Sequence, residues 1–179
     1  MNNKVKKEIE ELIKFYKSNC SVEEFPDDVI WYRISICQNF SEDFIREFQD
    51  RLNFTIISRY QKLSEDFIRE FEDKVDWKDI SRYQILSETF IREFEYRVDW
   101  FEIPYKQKLS EQFIREFKDK LDWYWISHCQ NLSEDFIYDF QYRLDMDYLI
   151  ENKEITEQRL LELEDINTIH SRFDILDIR

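Results

Sequence analysis

Apolar residues recur along this chain at helical rather than strand spacing. In the phrase SEDFIREFEDKV, beginning at Ser64, Phe67, Ile68, Phe71 and Val75 fall at i, i+1, i+4 and i+8, one face of a helix. Ser64 is an N-cap type, and Glu65 and Asp66 follow in the first turn, where acids complement the helix dipole. A second pattern comes next, with Trp77, Ile80 and Tyr83 at i, i+3 and i+6 and Leu86 closing the segment. Asp76 reads as its N-cap with Asp79 at the capping-box position, and Asp99 and Glu102 repeat that box. The spacing predicts helices of about ten and about eight residues, too short to be stable in isolation.

This two-helix phrase is repeated. Ser41, Ser64, Ser87, Ser110 and Ser133 stand at one constant step and open SEDFIREF, SEDFIREF, SETFIREF, SEQFIREF and SEDFIYDF. Trp31, Phe54, Trp77, Trp100, Trp123 and Met146 mark the second helices, and Gln38, Gln61, Gln84, Gln107 and Gln130 follow at the same step. Similarity at a fixed period of this length signals a repeat architecture, in which stacking supplies the stability each hairpin lacks. The expected fold is all-α, an α-solenoid of stacked two-helix 23-residue repeats. Five clear repeats cover 41–63, 64–86, 87–109, 110–132 and 133–155. Residues 1–17 read as an amphipathic capping helix. Residues 18–40 read as a degenerate first repeat, with Phe25 and Val29 in register with Phe48 and Leu52. Residues 156–179 read as a degenerate capping repeat, with Thr156, Leu160 and Leu163 in register with Ser41, Ile45 and Phe48.

Three expectations follow from single columns. Glu47–Arg51, Glu70–Lys74, Glu93–Arg97, Glu116–Lys120 and Asp139–Arg143 are spaced for i,i+4 ion pairs, acid before base. The Gln column either bonds backbone between repeats as a ladder or sits at a tolerant polar site; the ladder is the favoured expectation, since a buried amide needs partners. Pro104 stands where other repeats have Ser35, Ser58, Ser81 and Ser127, and predicts a kinked or shortened second helix.

The phrase LSEDFIREF followed by D-W-x-x-I-S-x-Y-Q resembles short helical repeats in proteins of giant DNA viruses, mimivirus-like ones among them, and of some AT-rich bacteria. The resemblance covers the five clear repeats. It implies a repeat protein, with a viral source and a host-cytoplasm setting as one expectation, and carries no activity onto any residue here.

Composition narrows the chemistry. The 179 residues contain no Gly and two Pro, which removes most phosphate-cradling loops and the tight turns of β-rich folds. Phe dominates an aromatic content of 17%, enough to fill a core. The net charge of −14 is uneven. Residues 1–17 carry five basic and three acidic side chains, residues 41–63 four of each, and residues 133–179 five against thirteen. So acidic a chain is a poor general binder of nucleic acid, and none is expected as a partner. Cys20, Cys37 and Cys129 show no paired spacing, and Cys37 and Cys129 fall four repeats apart, so free thiols in a reducing compartment are expected. The charged N-terminus lacks a signal-peptide core and no stretch approaches the ~20 apolar residues of a membrane span, so the expected location is cytoplasmic, with no membrane partner.

Candidate catalytic groups are thin. His128 adjoins Cys129, but neighbours on a helix point about 100° apart and are poorly placed to bond. No metal-ligand spacing occurs, and carboxylates recur in every repeat, which marks them as capping and surface groups. No cofactor is expected and the protein reads as non-catalytic. Two columns remain. Arg46, Arg69, Arg92 and Arg115 recur once per repeat, broken at Tyr138, and could sequester a nucleotide or other anion, although acids at i+4 (Asp50, Asp73) make a salt-bridge ladder the plainer reading. On the second helices the variable positions are Tyr32, Thr55, Lys78, Phe101, Tyr124, then Arg33, Ile56, Asp79, Glu102, Trp125, then Ile36, Arg59, Arg82, Tyr105, His128. These offsets share one face, opposite the Trp and Ile stripe. Tyr32, Phe101, Tyr105, Tyr124, Trp125 and His128 make that face the candidate for engaging a protein partner. Some of these rings pack against the next repeat in the alternative. Self-assembly of a monomer through open repeat ends is a third expectation.

Overall fold

The computed structural model describes residues 3–15, 28–37, 40–152, 155–156 and 158–163, with only the backbone at 28–30, 33 and 37. The sequence readings at Cys20, Phe25, Gln38 and residues 164–179, and at the side chains of Val29, Arg33 and Cys37, lie outside the described residues. Among the described residues every regular element is a helix: α1 (Asn3–Phe15), α2 (Asp28–Cys37), α3 (Glu42–Glu47), α4 (Phe54–Tyr60), α5 (Glu65–Glu70), α6 (Trp77–Tyr83), α7 (Glu88–Glu93), α8 (Ile103–Lys106), α9 (Glu111–Glu116), α10 (Trp123–Cys129), α11 (Glu134–Phe140) and α12 (Met146–Glu151). Residues 158–163 are also helical. The chain divides into two compact units, Met1–Asp99 and Trp100–Arg179. In the first, α1 packs on α3, α2 on α4 and α4 on α6; in the second, α8 packs on α10 and α10 on α12.

Each first helix opens as its sequence requires. The Ser41, Ser64, Ser87, Ser110 and Ser133 hydroxyls accept the N–H of Phe44, Phe67, Phe90, Phe113 and Phe136 at 3.1–3.3 Å. The Phe and Ile that follow are fully buried in all five. Regular helix is shorter than the periodicity predicts, six residues in α5 rather than ten. Phe71 leaves helical geometry (φ −113°, ψ 28°), and its carbonyl accepts from both Lys74 (2.9 Å) and Val75 (3.0 Å). The helical ladder stops, yet this last turn still buries Phe71 and Val75. An apolar face survives such a turn, so periodicity located the face and overstated the helix.

The second helices α4, α6 and α10 run seven residues. Asp76 caps α6, accepting the Asp79 N–H at 3.0 Å, but the reciprocal half of the expected capping box is replaced. The Asp76 N–H donates to the Ser58 hydroxyl of the preceding repeat (3.0 Å), and the Asp79 carboxylate faces Arg59. Ser58 in turn donates to the Phe54 carbonyl (2.7 Å). The same link joins Ser35 to Asn53, Ser81 to Asp99 and Ser127 to Asp145. A neighbouring repeat therefore supplies the partner that a local box would have taken.

Pro104 brings no hydroxyl to that place and no N–H to its own helix. α8 is accordingly four residues long, with proline in its first turn and no side-chain cap at Glu102.

Buried amides tie the repeats together. Gln84 Nε2 donates to the carbonyls of Ser58 (2.7 Å) and Gln61 (2.8 Å), while its Oε1 accepts the Leu63 N–H (3.0 Å). Gln61 bridges Ser35 and Phe40 likewise, and Gln130 bridges Pro104, Gln107 and Leu109. Gln61, Gln84 and Gln130 thus form a hydrogen-bonded ladder, as the burial of the first two demands. Rings complete the packing: Trp31 on Phe48, Phe54 on Phe71, Trp77 on Phe94, Trp100 on Phe117 and Trp123 on Phe140, with centroids 4.8–5.4 Å apart. α1 closes the N-terminal unit by imitation. Its Glu8 accepts the Ser41 N–H (2.9 Å) and hydroxyl (2.7 Å), where Glu42 accepts the Ser64 N–H one repeat later. Thr156 caps residues 158–163, its hydroxyl accepting the Arg159 N–H at 3.1 Å.

Three of the five expected i,i+4 ion pairs are replaced. Lys74 meets Asp50, Arg97 meets Asp73 and Arg143 meets Asp119, each a partner in the preceding repeat. Glu70 and Glu93 instead pair with Arg46 and Arg69. The helices end at Glu70 and Glu93, so the following turn does not hold i and i+4 one above the other.

Candidate functional site

Two surfaces carry the candidate residues. The first is the arginine column on the first helices. Arg46 reaches Glu70 of the next repeat (2.7 Å) and Asp43 of its own (3.2 Å), with its guanidinium 5.1 Å from the Phe67 ring centroid. Arg69 repeats this with Glu93 (2.8 Å), Asp66 (3.0 Å) and Phe90 (5.0 Å). Arg115 pairs with Asp139 over Phe136, and Arg92 lies 3.7 Å from Glu88. The hydrogen bond to Glu93 raises the pKa of Arg69, and the same bond holds the Glu93 carboxyl below its ordinary value. These guanidiniums are engaged by carboxylates and rings of the chain itself. A bound anion would have to displace those carboxylates.

The second surface is the varied face of the second helices. Its geometry is set by one step: a residue on one second helix meets the residue twenty positions later on the next. In the N-terminal unit this step joins Arg59 to Asp79, Nη2 and Nε lying 2.9 and 3.2 Å from Oδ1. Arg59 also covers the Tyr83 ring at 5.4 Å, and its pKa is raised by the Asp79 bond. In the C-terminal unit the same step joins Tyr105 to Trp125 (centroids 4.7 Å) and His128 to Tyr148 (3.8 Å). Tyr124 stacks on His128 at 4.0 Å and meets Trp125 edge-on at 4.9 Å; Phe101 meets Trp125 edge-on at 6.3 Å. Five aromatic rings and one imidazole thus form a continuous cluster on α8, α10, α12 and the turn before α8. Phe101, Tyr105 and Tyr124 remain 54%, 46% and 54% exposed. Trp125, His128 and Tyr148 are half-buried. The His128 Nδ1 lies 2.8 Å from the Tyr124 carbonyl and its Nε2 3.7 Å from Asp145.

Five of the six sequence candidates are therefore brought together. Part of the Trp125 ring packs within the chain, as the alternative reading anticipated. Tyr32 is not in the cluster: it lies on α2 of the N-terminal unit, exposed, beside Arg51, Leu52 and Asn53. Tyr148 was missed. It occupies the Trp125 column one repeat further on, and extending that column by one more period finds it. Among the described residues no group of three or more His, Cys, Asp or Glu side chains could hold a metal ion. No helix among them is long and apolar enough to cross a membrane.

Fold and face together define an all-α protein whose neighbouring helices pack in sequence order, in keeping with an α-helical repeat. Comparisons with protein-family models, with curated proteins and with solved structures found no match to this chain.

Proposed function

We propose that the chain is a non-catalytic α-solenoid that binds a protein partner through the aromatic face around Trp125. One observation carries the reading: three successive second helices and the turn before the first of them bring Phe101, Tyr105, Tyr124, Trp125, His128 and Tyr148 into one patch, about half-exposed at three of its rings. Clustered, rigid, partly desolvated aromatics are the anchors from which protein interfaces draw most of their binding energy. The framework beneath is tied by the Gln130 amide and the Ser127 link, so the face is presented with little conformational freedom to lose on binding. The solenoid reading is supported by links that recur between neighbouring repeats in each compact unit. Small-angle scattering tests it: a radius of gyration well above the ~16 Å of a closed globule of this length is expected, and a value near that figure rejects it.

The binding reading is tested with Phe101→Ser, Tyr124→Ser and Trp125→Ser combined. The triple variant keeps its helicity and loses the partner recovered by affinity purification from the native source. Recovery of the same partner at unchanged yield rejects the aromatic face.

A further inference from the structure

The Tyr124 and Trp125 rings stand in a different electrostatic setting from the Phe67, Phe90, Phe136 and Tyr83 rings. On the first helices a guanidinium lies over a ring of the next repeat and pairs with a carboxylate of that same repeat: Arg46 over Phe67 with Glu70, Arg69 over Phe90 with Glu93, Arg115 over Phe136 with Asp139. On the second helices of the N-terminal unit, Arg59 plays that part between Tyr83 and Asp79. α10 (WYWISHC) and α12 (MDYLIE) contain neither Lys nor Arg, and α8 (IPYK) contributes Lys106 alone. Arg143 covers the Trp123 ring of α10 at 5.4 Å. Around Tyr124 and Trp125, α10 and α12 together keep the other two components, rings and carboxylates. Asp145 lies 3.7 Å from His128. Exposed Asp147 and Glu151 hold the Tyr124 and His128 columns in the next repeat.

We propose that this face takes a basic segment of a partner protein. Arginine side chains of that segment lie on the Tyr124 and Trp125 rings and answer Asp145, Asp147 and Glu151. The proposal rests on the protein-binding reading above and adds the chemistry of the partner. Charge complementarity selects the occupant: a guanidinium gains both the ring quadrupole and the carboxylates, whereas a nucleic acid or an anionic membrane meets like charge from the same acids. Residues 133–179, which include α12, carry thirteen acidic and five basic side chains, so the approach of a cation is also favoured at a distance.

Fluorescence anisotropy on the full chain tests this with short labelled peptides of alternating Arg and Leu, Gln and Leu, or Glu and Leu. The Arg peptide is expected to bind at least about tenfold tighter than the Gln peptide at low salt, with the preference shrinking as salt rises. Trp125→Ser, and separately Asp145→Asn with Asp147→Asn and Glu151→Gln, each weaken it about tenfold. The second set retains a capping side chain at position 145. Tyr83→Ser, in the N-terminal unit, leaves affinity unchanged. Equal binding of the Arg and Gln peptides overturns the proposal, as does an equal effect of Tyr83→Ser, which would mean that overall acidity alone attracts the probe. A molar mass that grows with concentration in the parent chain and not in Trp125→Ser would make the occupant a second copy and overturn it too. If the Arg preference fails while capture of the natural partner still depends on Trp125, only the basic class is wrong. If capture is also indifferent to Trp125, the protein-binding reading falls with it.

Discussion

Between α4 and α6 the step of twenty residues joins Arg59 to Asp79; between α8 and α10 the same step joins Tyr105 to Trp125, and between α10 and α12 it joins His128 to Tyr148. Beneath these faces the two compact units are built alike. Serine hydroxyls of the second helices take the N-cap amide of the next repeat in both, as Ser58 does for Asp76 and Ser127 for Asp145. Gln84 and Gln130 bond the backbone of the preceding repeat by the same pattern. Trp77 packs on Phe94 as Trp123 packs on Phe140. The pairing distance is thus a property of the framework, and the chemistry at that distance is free to change. One unit uses it for an ion pair beside a tyrosine; the other uses it for a partly exposed aromatic cluster.

If the framework is shared, truncating it must cost the same in either unit. Phe67→Ala and Phe113→Ala, both at fully buried positions, are each expected to destabilise by about 3–5 kcal/mol in urea unfolding. A markedly smaller loss in one unit breaks the equivalence. Gln84→Ala strands the Leu63 N–H and two carbonyls in a buried place and is expected to cost about 2–3 kcal/mol. Gln130→Ala, at a half-buried position, should cost less, and the reverse order would contradict the burial. Pro104→Ser restores the hydroxyl and amide that α8 lacks. A gain of about 1 kcal/mol is expected, with added helicity by circular dichroism; destabilisation would mean that the short α8 is required. Tyr105→Arg with Trp125→Asp writes the N-terminal ion pair onto the C-terminal unit. Stability should stay within about 1 kcal/mol of the parent, while capture of the natural partner is lost. Retained capture would uncouple binding from the aromatic content of the face. The smallest effect belongs to the first-helix ladder. Arg69 holds the Glu93 carboxyl below its ordinary value. The stability this adds is present above the unfolded carboxyl pKa of about 4.3 and lost as pH falls through the lower folded value. Glu93→Gln should remove a small part of the acid-limb slope, small because the pair is exposed and screened; an unchanged slope would show the pair to be idle.

Much of this was legible in the residues. Ser at the head of each repeat is an N-cap by local geometry alone, and the Phe–Ile pair that follows is buried five times over. The glutamine ladder was inferable because an amide recurring amid apolar columns has to be satisfied. Pro104 announced a short helix, since its missing N–H is a covalent fact. The aromatic drift of the second-helix columns towards Trp125 pointed at the face. Other features were not legible. Lys74 reads as a partner for Glu70 and in fact meets Asp50, and Asp79 reads as half of a capping box and in fact meets Arg59. Tyr32 shares a column with Tyr124 and stays outside the cluster. Ser58 reads only as one member of a recurring serine column until its hydroxyl is seen between Phe54 and Asp76.

Those successes and failures divide by the range of the force involved. Capping, proline chemistry and the side of a helix that is apolar act over one or two turns of a single chain segment, so residue order determines them. Which carboxylate an arginine takes, and which ring a tyrosine meets, depends on side chains a whole repeat away, carried there by the packing of one hairpin on another. The recurring period announced that such contacts exist. Only the folded chain decided which residue of the next repeat arrives opposite which, as Asp76 does for Ser58, Asp79 for Arg59 and Glu93 for Arg69. Those pairings are set by the separation of packed helices rather than by distance along a backbone.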